Sequence, residues 1–511
     1  MEARSRRQIL FALSVLVLLL TVAAQARFAL VDVRLPPDAN HAHQTLPLIH
    51  HCLGSSHDWP LALRAAAAET AGWYNFLIAG IMHLTGSGAG VLRAFHLVWV
   101  TGVLLGIWML GRRLWGEAAG LLALLLISPL SMGIHQLGRM GWIHVAELAL
   151  LLQVMDGLVA APRLERRAAV ARVAICGLLV LALRPTGLVW VATVAPLLVL
   201  ARRRGAPLKR VLVVAGTWSL ALLPVIRDIG PYMEDKLEAR AHYQSIAGLA
   251  LMVPQLVDDL GLPWAVASLI GILLLLFGGA LRPILPRVVL ASWLVVPLVL
   301  YMAFNVGLVN FPVLYAAAAL LGAAGLSRVP VPLVAAPLLL LWLGAYTAQW
   351  LPMPLAESIY RRIDGAHIGL HRDSPNNYFR PYSAPALTEI LTLLDRACPP
   401  GKGRCPVVAE SSLLHPAGLD SGRLGLFLLG RGDVDLLEMR DLGSPGEVPM
   451  PGAYARFDCP EYAADFTRRQ PDVHSRGADL LAAKGLRLAR RLELEPGCSY
   501  LWYTPNQRPW R

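Results

Sequence analysis

The sequence predicts a polytopic α-helical membrane protein, with about eleven transmembrane helices and a C-terminal external α/β domain. Three observations predict it. The chain is 56% hydrophobic and only 16% charged, with a mean hydropathy of +0.53, whereas soluble domains are about half apolar and about a quarter charged. The excess is gathered into runs of about 20 residues, the length a helix needs to cross a bilayer. From about Pro352 the composition turns polar, and this last stretch holds Cys398, Cys405, Cys459 and Cys498 of the six cysteines.

The first run, Ile9 to Ala24, follows MEARSRRQ and has the outline of a signal peptide, with AAQA as a cleavage site. An uncleaved anchor is expected, because the topology requires this helix. Spanning helices are expected at 8–26, 91–111, 117–134, 141–160, 168–184, 186–201, 209–226, 263–281, 287–305, 310–327 and 331–350. The basic clusters test this assignment. Arg4/Arg6/Arg7, Arg112/Arg113, Arg163/Arg166/Arg167, Arg202/Arg203/Arg204 with Lys209/Arg210, Arg282/Arg287 and Arg328 all fall on one side, which the positive-inside rule makes cytoplasmic. An odd number of spans puts the tail outside. The net charge of +12 is thereby accounted for by short loops. Nucleic acid is excluded as a partner, since no soluble face interleaves basic and aromatic residues. The Ala-, Leu- and Arg-rich composition suits a multi-pass protein of a bacterial inner membrane, with membrane lipids around it.

Between the first two runs lies Leu35 to Tyr74, LPPDANHAHQTLPLIHHCLGSSHDWPLALRAAAAETAGWY. It carries Asp38, Asp58, Arg64, Glu69 and five histidines, His41, His43, His50, His51 and His57. Trp73 to Leu84 is apolar but short, and reads as an interfacial helix on the outer face. Two further external loops are expected. SPLSMGIHQLGRMG, 128–141, offers His135, Gln136 and Arg139; 227–262 offers Tyr232, Lys236, Arg240, His242, Tyr243 and Gln244, with an amphipathic segment over Tyr232–Leu256. The expected division is a transmembrane domain, 1–351, with external loops 27–90, 135–140 and 227–262, followed by a periplasmic domain, 352–511.

In the tail, Leu387, Ile390, Leu391 and Leu394 mark a helical stripe, PVVAES at 406–411 reads as a buried strand, and Ala478–Lys484 and Leu486–Leu494 continue the alternation. Four cysteines in an exported domain predict disulfides. Of the three pairings open to them, Cys398–Cys405 with Cys459–Cys498 is favoured; zinc is the lesser alternative because no CxxC pair occurs. Cys176, inside an apolar run, reads as a packing residue.

Asp38 follows two prolines that stiffen the backbone. A carboxylate fixed at the membrane surface can accept a proton from an incoming hydroxyl, although Asp in this setting is also a good helix N-cap. His41, His43 and Asp58 are weak candidates to hold a divalent metal ion, with a solvated loop as the simpler reading. His144 and Glu147 lie one turn apart at the start of a span, and an intramembrane carboxylate invites a functional reading. Lys236, Arg240 and Tyr243 share one helical face and suit an anionic headgroup.

One resemblance organises these pieces. PPDANHAHQ is followed by ETAGWYNFLIAGIMHLTG, by RAFHLVWVTGVLLGIWMLGRRLWGEAAGLLALLLISP and by LALRPTG at 181–187. This order resembles the GT-C glycosyltransferases, in particular the protein O-mannosyltransferase and lipid A aminoarabinose transferase group, over residues 8 to 205; a likeness to FPVLYAAAALLGAAGL extends it weakly. The resemblance implies inverting transfer from a polyprenyl-phosphate-linked sugar to a lipid, glycan or protein acceptor on the external face. It places Asp38 as catalytic base and Arg139 at the donor phosphate, where the guanidinium fork can hold two oxygens. Lys236, Arg240 and Tyr243 join the phosphate site; His41, His43, Glu69, Tyr74, His135 and Gln136 support the acceptor or the loops. The chain departs from the family at Ala39, where a second acid stands, at Thr70, where a lysine stands, and after Arg139, where an acid is missing. A transporter or flippase for a lipid-linked intermediate and an inactive assembly protein are the alternatives.

Overall fold

The computed structural model describes residues 2–31, 49–50, 52–53, 59–68, 72–85, 89–128, 143–183, 186–221, 262–277, 284–304, 312–350, 384–399, 405–409, 434–438, 450–458, 471–495 and 498–505. In chain order the helices are α1 (Glu2–Val31), α2 (Trp59–Ala68), α3 (Gly72–Thr85), α4 (Ala89–Trp115), α5 (Glu117–Ile127), α6 (Ile143–Ala160), α7 (Arg167–Leu183), α8 (Gly187–Arg203), α9 (Leu208–Leu220), α10 (Leu262–Phe277), α11 (Ile284–Phe304), α12 (Val313–Leu326) and α13 (Val331–Trp350). Then follow α14 (Ala384–Ala397), β1 (Cys405–Ala409), β2 (Val434–Glu438), β3 (Ala453–Asp458), α15 (Pro471–Lys484), β4 (Arg487–Glu495) and β5 (Cys498–Thr504). The chain divides into two compact units, Met1–Leu30 with Arg93–Arg372, and Val31–Leu92 with Asp373–Arg511. A division by hydropathy follows the greasy helices and assigns the first long loop to them; a division by packing groups residues 31–92 with the tail.

In the first unit every apolar run expected to span carries a helix. Three are long and apolar enough to cross a membrane on length and composition, Arg4–Ala26, Ala94–Trp115 and Ile143–Ala160. Shorter apolar helices include Glu117–Ile127, Leu262–Phe277 and Val313–Leu326. The protein is a helical membrane protein. Every residue of α12 from Val313 to Leu326 is buried, against α5, α10 and α11. Its sequence, VLYAAAALLGAAGL, is rich in small residues, which lets backbones meet. A Cβ on Gly322 would lie 2.9 Å from Ser268 Cα, and one on Gly325 would fall onto the Gly271 carbonyl of α10.

Tryptophan N–H groups tie helices across this unit. Trp218 on α9 donates to the Val173 carbonyl on α7 at 3.1 Å, Trp293 on α11 to Thr193 Oγ1 on α8 at 2.8 Å, and Trp342 on α13 to Thr21 Oγ1 on α1 at 3.3 Å. Each buries a large ring while satisfying its one donor. Near the other end of α1, Phe11 meets Trp108 of α4 at 5.5 Å between ring centroids.

In the second unit α2 and α3 pack together. The tail forms a five-stranded sheet in the order β2-β1-β3-β5-β4. β1 is parallel to β2 and β3, and β5 is antiparallel to β3 and β4. Strand alternation sends successive side chains to opposite faces. Val407, Ala453, Ala455 and Trp502 pack with Leu393 and Leu394 of α14, while Val408 and Tyr454 pack with Leu480 of α15. The disulfide Cys398–Cys405, with its Cα atoms 5.7 Å apart, joins the end of α14 to the start of β1. Cys459, proposed from the sequence as the partner of Cys498, lies outside the described residues.

Candidate functional site

Most residues singled out from the sequence lie outside the described residues: Asp38, His41, His43, His51, His57, Asp58, Glu69, His135, Gln136, Arg139, Lys236, Arg240 and Tyr243. No cluster of three or more His, Cys, Asp or Glu side chains able to hold a metal ion occurs among the described residues. What the structure does place are the surroundings of these motifs: the α2–α3 pair after the Asp38 loop, and the start of α6 after the Arg139 loop.

α3 is amphipathic in an unusual sense. Tyr74, Asn75, Ile78, Ala79 and Met82 form one buried face, the i, i+4 and i+8 spacing of a helix. The opposite face is also apolar but exposed, with Trp73 at 49% and Leu77 at 48%, joined by Trp59 of α2 at 52%. Trp59 and Trp73 both pack on Phe76, with ring centroids 6.3 and 6.1 Å away. At 14 residues α3 is about 21 Å long, short of the ~30 Å hydrocarbon core. Exposed tryptophans on a short apolar helix suit the interfacial layer. Tyr74, expected to support the acceptor or the loops, is buried here.

The start of α6 brings two distant motifs together. Glu147 is buried, and its Oε1 accepts a hydrogen bond from Thr186 Oγ1 at 3.1 Å. Thr186 is the residue before α8 and belongs to the LALRPTG step. His144, one turn earlier on α6, is buried as well. A carboxylate inside an apolar helix is costly unless it is engaged, and this one pins the start of α8 to the start of α6.

Toward the other end of α6 lies a second polar cluster. Asp156 has no exposed surface. Arg172 of α7 donates from Nη2 to its Oδ2 at 2.7 Å and bonds Gln153 as well, while Arg113 of α4 holds Nε 2.9 Å from Oδ1 without hydrogen-bond alignment. Arg112 pairs with Glu117 across the turn between α4 and α5 at 2.6 Å, a turn opened by Gly116 at φ 95°, a conformation glycine adopts without cost. Asp156 and Arg172 are residues the sequence reading passes over. The available signal is an ionisable pair in two apolar runs, LLLQVMDGLV and AAVARVAICG, which is a flag in itself.

The fold has a counterpart among solved structures. The chain superposes on the crystal structure of ArnT from Cupriavidus metallidurans bound to undecaprenyl phosphate, with a TM-score of 0.56 at 11% identity, over 97% of each chain. At that identity the match establishes the fold. Two structures from Archaeoglobus fulgidus superpose more loosely and carry no argument here. The archaeal oligosaccharyltransferase AglB, in complex with an inhibitory peptide and a dolichol-phosphate, gives a TM-score of 0.47 at 14% identity, over 79% of this chain and 62% of that one. The oligosaccharyltransferase tethered with an acceptor peptide containing the NVT sequon gives 0.48 at 13%, over 98% and 74%. No protein-family model and no curated sequence matches the chain.

Proposed function

We propose that this protein is an inverting glycosyltransferase that moves a hexosyl or pentosyl group from a polyprenyl-phosphate donor to a lipid, glycan or protein acceptor on the external face of a bacterial inner membrane. The observation that carries the reading is the GT-C fold, shared along 97% of the chain with a protein whose structure holds undecaprenyl phosphate. PPDANHAHQ follows the first helix in the sequence, where that group of enzymes keeps its acidic motif.

In the proposed reaction an acceptor hydroxyl or amine attacks the anomeric carbon as the bond from that carbon to the phosphate oxygen breaks. Asp38 takes the acceptor's proton, and the electron pair of the broken bond leaves with the polyprenyl phosphate. A single displacement inverts the anomeric centre. The leaving group needs mainly electrostatic support, supplied by Arg139 with Lys236 or Arg240, and Tyr243 completes that set. His41, His43, Glu69, Tyr74, His135 and Gln136 support the loops or the acceptor.

The test is transfer from a labelled polyprenyl-phosphate sugar by the purified full chain. Asp38→Asn is expected to lower turnover by about a hundredfold or more while the protein inserts and purifies normally. Undiminished turnover removes Asp38 from the mechanism. Arg139→Ala is expected to weaken donor binding, and an unchanged donor affinity removes it from the phosphate site. Ala39 and Thr70 give the inactive-homologue reading its own footing. Donor binding without transfer in the unaltered protein would establish it.

A further inference from the structure

We propose that the end of the helical unit built from the α6–α7 and α8–α9 loops is a binding site for an anionic phospholipid, whose headgroup is held by arginines from both loops. This does not rest on the transferase reading.

The two loops form one structure. Arg210, in the first turn of α9, donates from Nη1 to the carbonyl oxygens of Leu164 and Glu165 at 2.6 Å each. Leu164 is wholly buried, and its φ of 52° is one a bulky side chain rarely adopts. Across the staple, Arg202 Nη1 bonds the Ala206 carbonyl at 3.3 Å and Ala206 is buried. Both loops are thus set by internal contacts, and their remaining cations project from a fixed base.

Those cations are unneutralised. Arg163, Arg166, Arg167, Arg203, Arg204 and Lys209 are all exposed, and none forms an ion pair among the described residues. The stretches 161–167 and 202–210 contain a single acid, Glu165. Neighbouring cations are treated differently: Arg112 is matched by Glu117, and Arg113 and Arg172 share Asp156. Moreover α7 and α9 begin here with no acid in their first turns. Cations at the positive end of a helix dipole are unfavourable until an outside anion offsets them.

The adjoining surface says what kind of anion fits. Directly beyond the cations, Val199 of α8 and Leu208, Leu212 and Val213 of α9 are exposed apolar side chains. A ligand that covers both has a negative head and acyl chains. Diphosphatidylglycerol, whose headgroup carries two phosphates, should bind more tightly than phosphatidylglycerol, and phosphatidylcholine weakly.

The experiment titrates the full chain, purified in a neutral detergent, with tetraoleoyl diphosphatidylglycerol, dioleoylphosphatidylglycerol, dioleoylphosphatidylcholine or inorganic phosphate. Adducts are read by native mass spectrometry and stability by thermal unfolding. Arg166→Gln/Arg203→Gln/Arg204→Gln should weaken diphosphatidylglycerol binding by at least about tenfold. Lys209→Gln alone, a milder change, should weaken it in the same direction. Arg4→Gln/Arg6→Gln/Arg7→Gln, which removes equal charge elsewhere, should leave it within about twofold. Equal binding of phosphatidylcholine overturns the proposal. So does an equal loss in the N-terminal control, which would make the attraction diffuse. Stabilisation by inorganic phosphate at matched phosphorus, as large as that by the lipid, would reduce the site to a general anion site and also overturns it.

Discussion

Asp156 is wholly enclosed, yet guanidinium groups reach it from two other helices, Arg113 from α4 and Arg172 from α7. Removing Asp156 leaves two guanidiniums, each about two-thirds covered, without their acid, at a cost of about 1–3 kcal/mol. Asp156→Ala should therefore lower the unfolding midpoint of the purified protein markedly. Glu147→Gln keeps an acceptor for the Thr186 hydroxyl, since an amide oxygen accepts as a carboxylate oxygen does. A thermal or detergent denaturation series checks this, and an unchanged midpoint for Asp156→Ala would argue against the ion-pair account of Asp156. The two acids also differ in how legible they are. Glu147 stands out in the sequence through its spacing from His144. Asp156 does not, because its partners come from other helices and no local pattern couples them. Asp38 and Arg139 are singled out as motif positions, by the double proline and by the family resemblance, and both lie outside the described residues. Their roles depend on three-dimensional neighbours that spacing alone does not specify.

At the level of elements, the crossing of α10 and α12 brings two helix backbones into direct contact. Ser268 and Gly271 face Gly322 and Gly325, and the backbones meet at the glycines. Gly325→Leu has to force the two helices apart, and overpacking of this kind costs about 1–3 kcal/mol or more. The same substitution at Gly344 of α13, where a Cβ would meet nothing within 4 Å, should be close to neutral. Size-exclusion profiles and unfolding midpoints of the two variants test this directly, and comparable destabilisation would sink the close-crossing argument. Helices such as these are legible because a long apolar run has few other ways to satisfy its backbone in a membrane. Their ends are less so. Of the run expected over 117–134, the described part is helical over Glu117–Ile127 with Ser128 as its C-cap, and 129–134 lie outside the described residues. In the tail, PVVAES locates β1, but the order β2-β1-β3-β5-β4 joins segments far apart in the chain. Local pattern says little about such pairings.

At the scale of the molecule, the helical unit has distinct ends. α6 carries His144 and Glu147 near its start and Asp156 near its finish, nine residues or about 14 Å along the axis. The arginine-bearing loops lie beyond Asp156. The tail unit has a different kind of reinforcement, a covalent one between α14 and β1. The helical unit also joins its first and last helices, through the bond from Trp342 to Thr21. The hydroxyl of Thr21 already donates to the Val17 carbonyl, so its oxygen lone pairs are what Trp342 finds. α1 is thus made before its partner α13, and it waits through the synthesis of the described helices α2 to α12. During that interval Ser14, Thr21 and Gln25, buried in the finished protein, need shelter from the insertion machinery. A nascent chain stalled before Val331 should remain crosslinkable from α1 to the translocon or its insertase, and one stalled well past Trp350 should have let go. Release at the same point in a Trp342→Phe chain would show that some other contact closes the bundle.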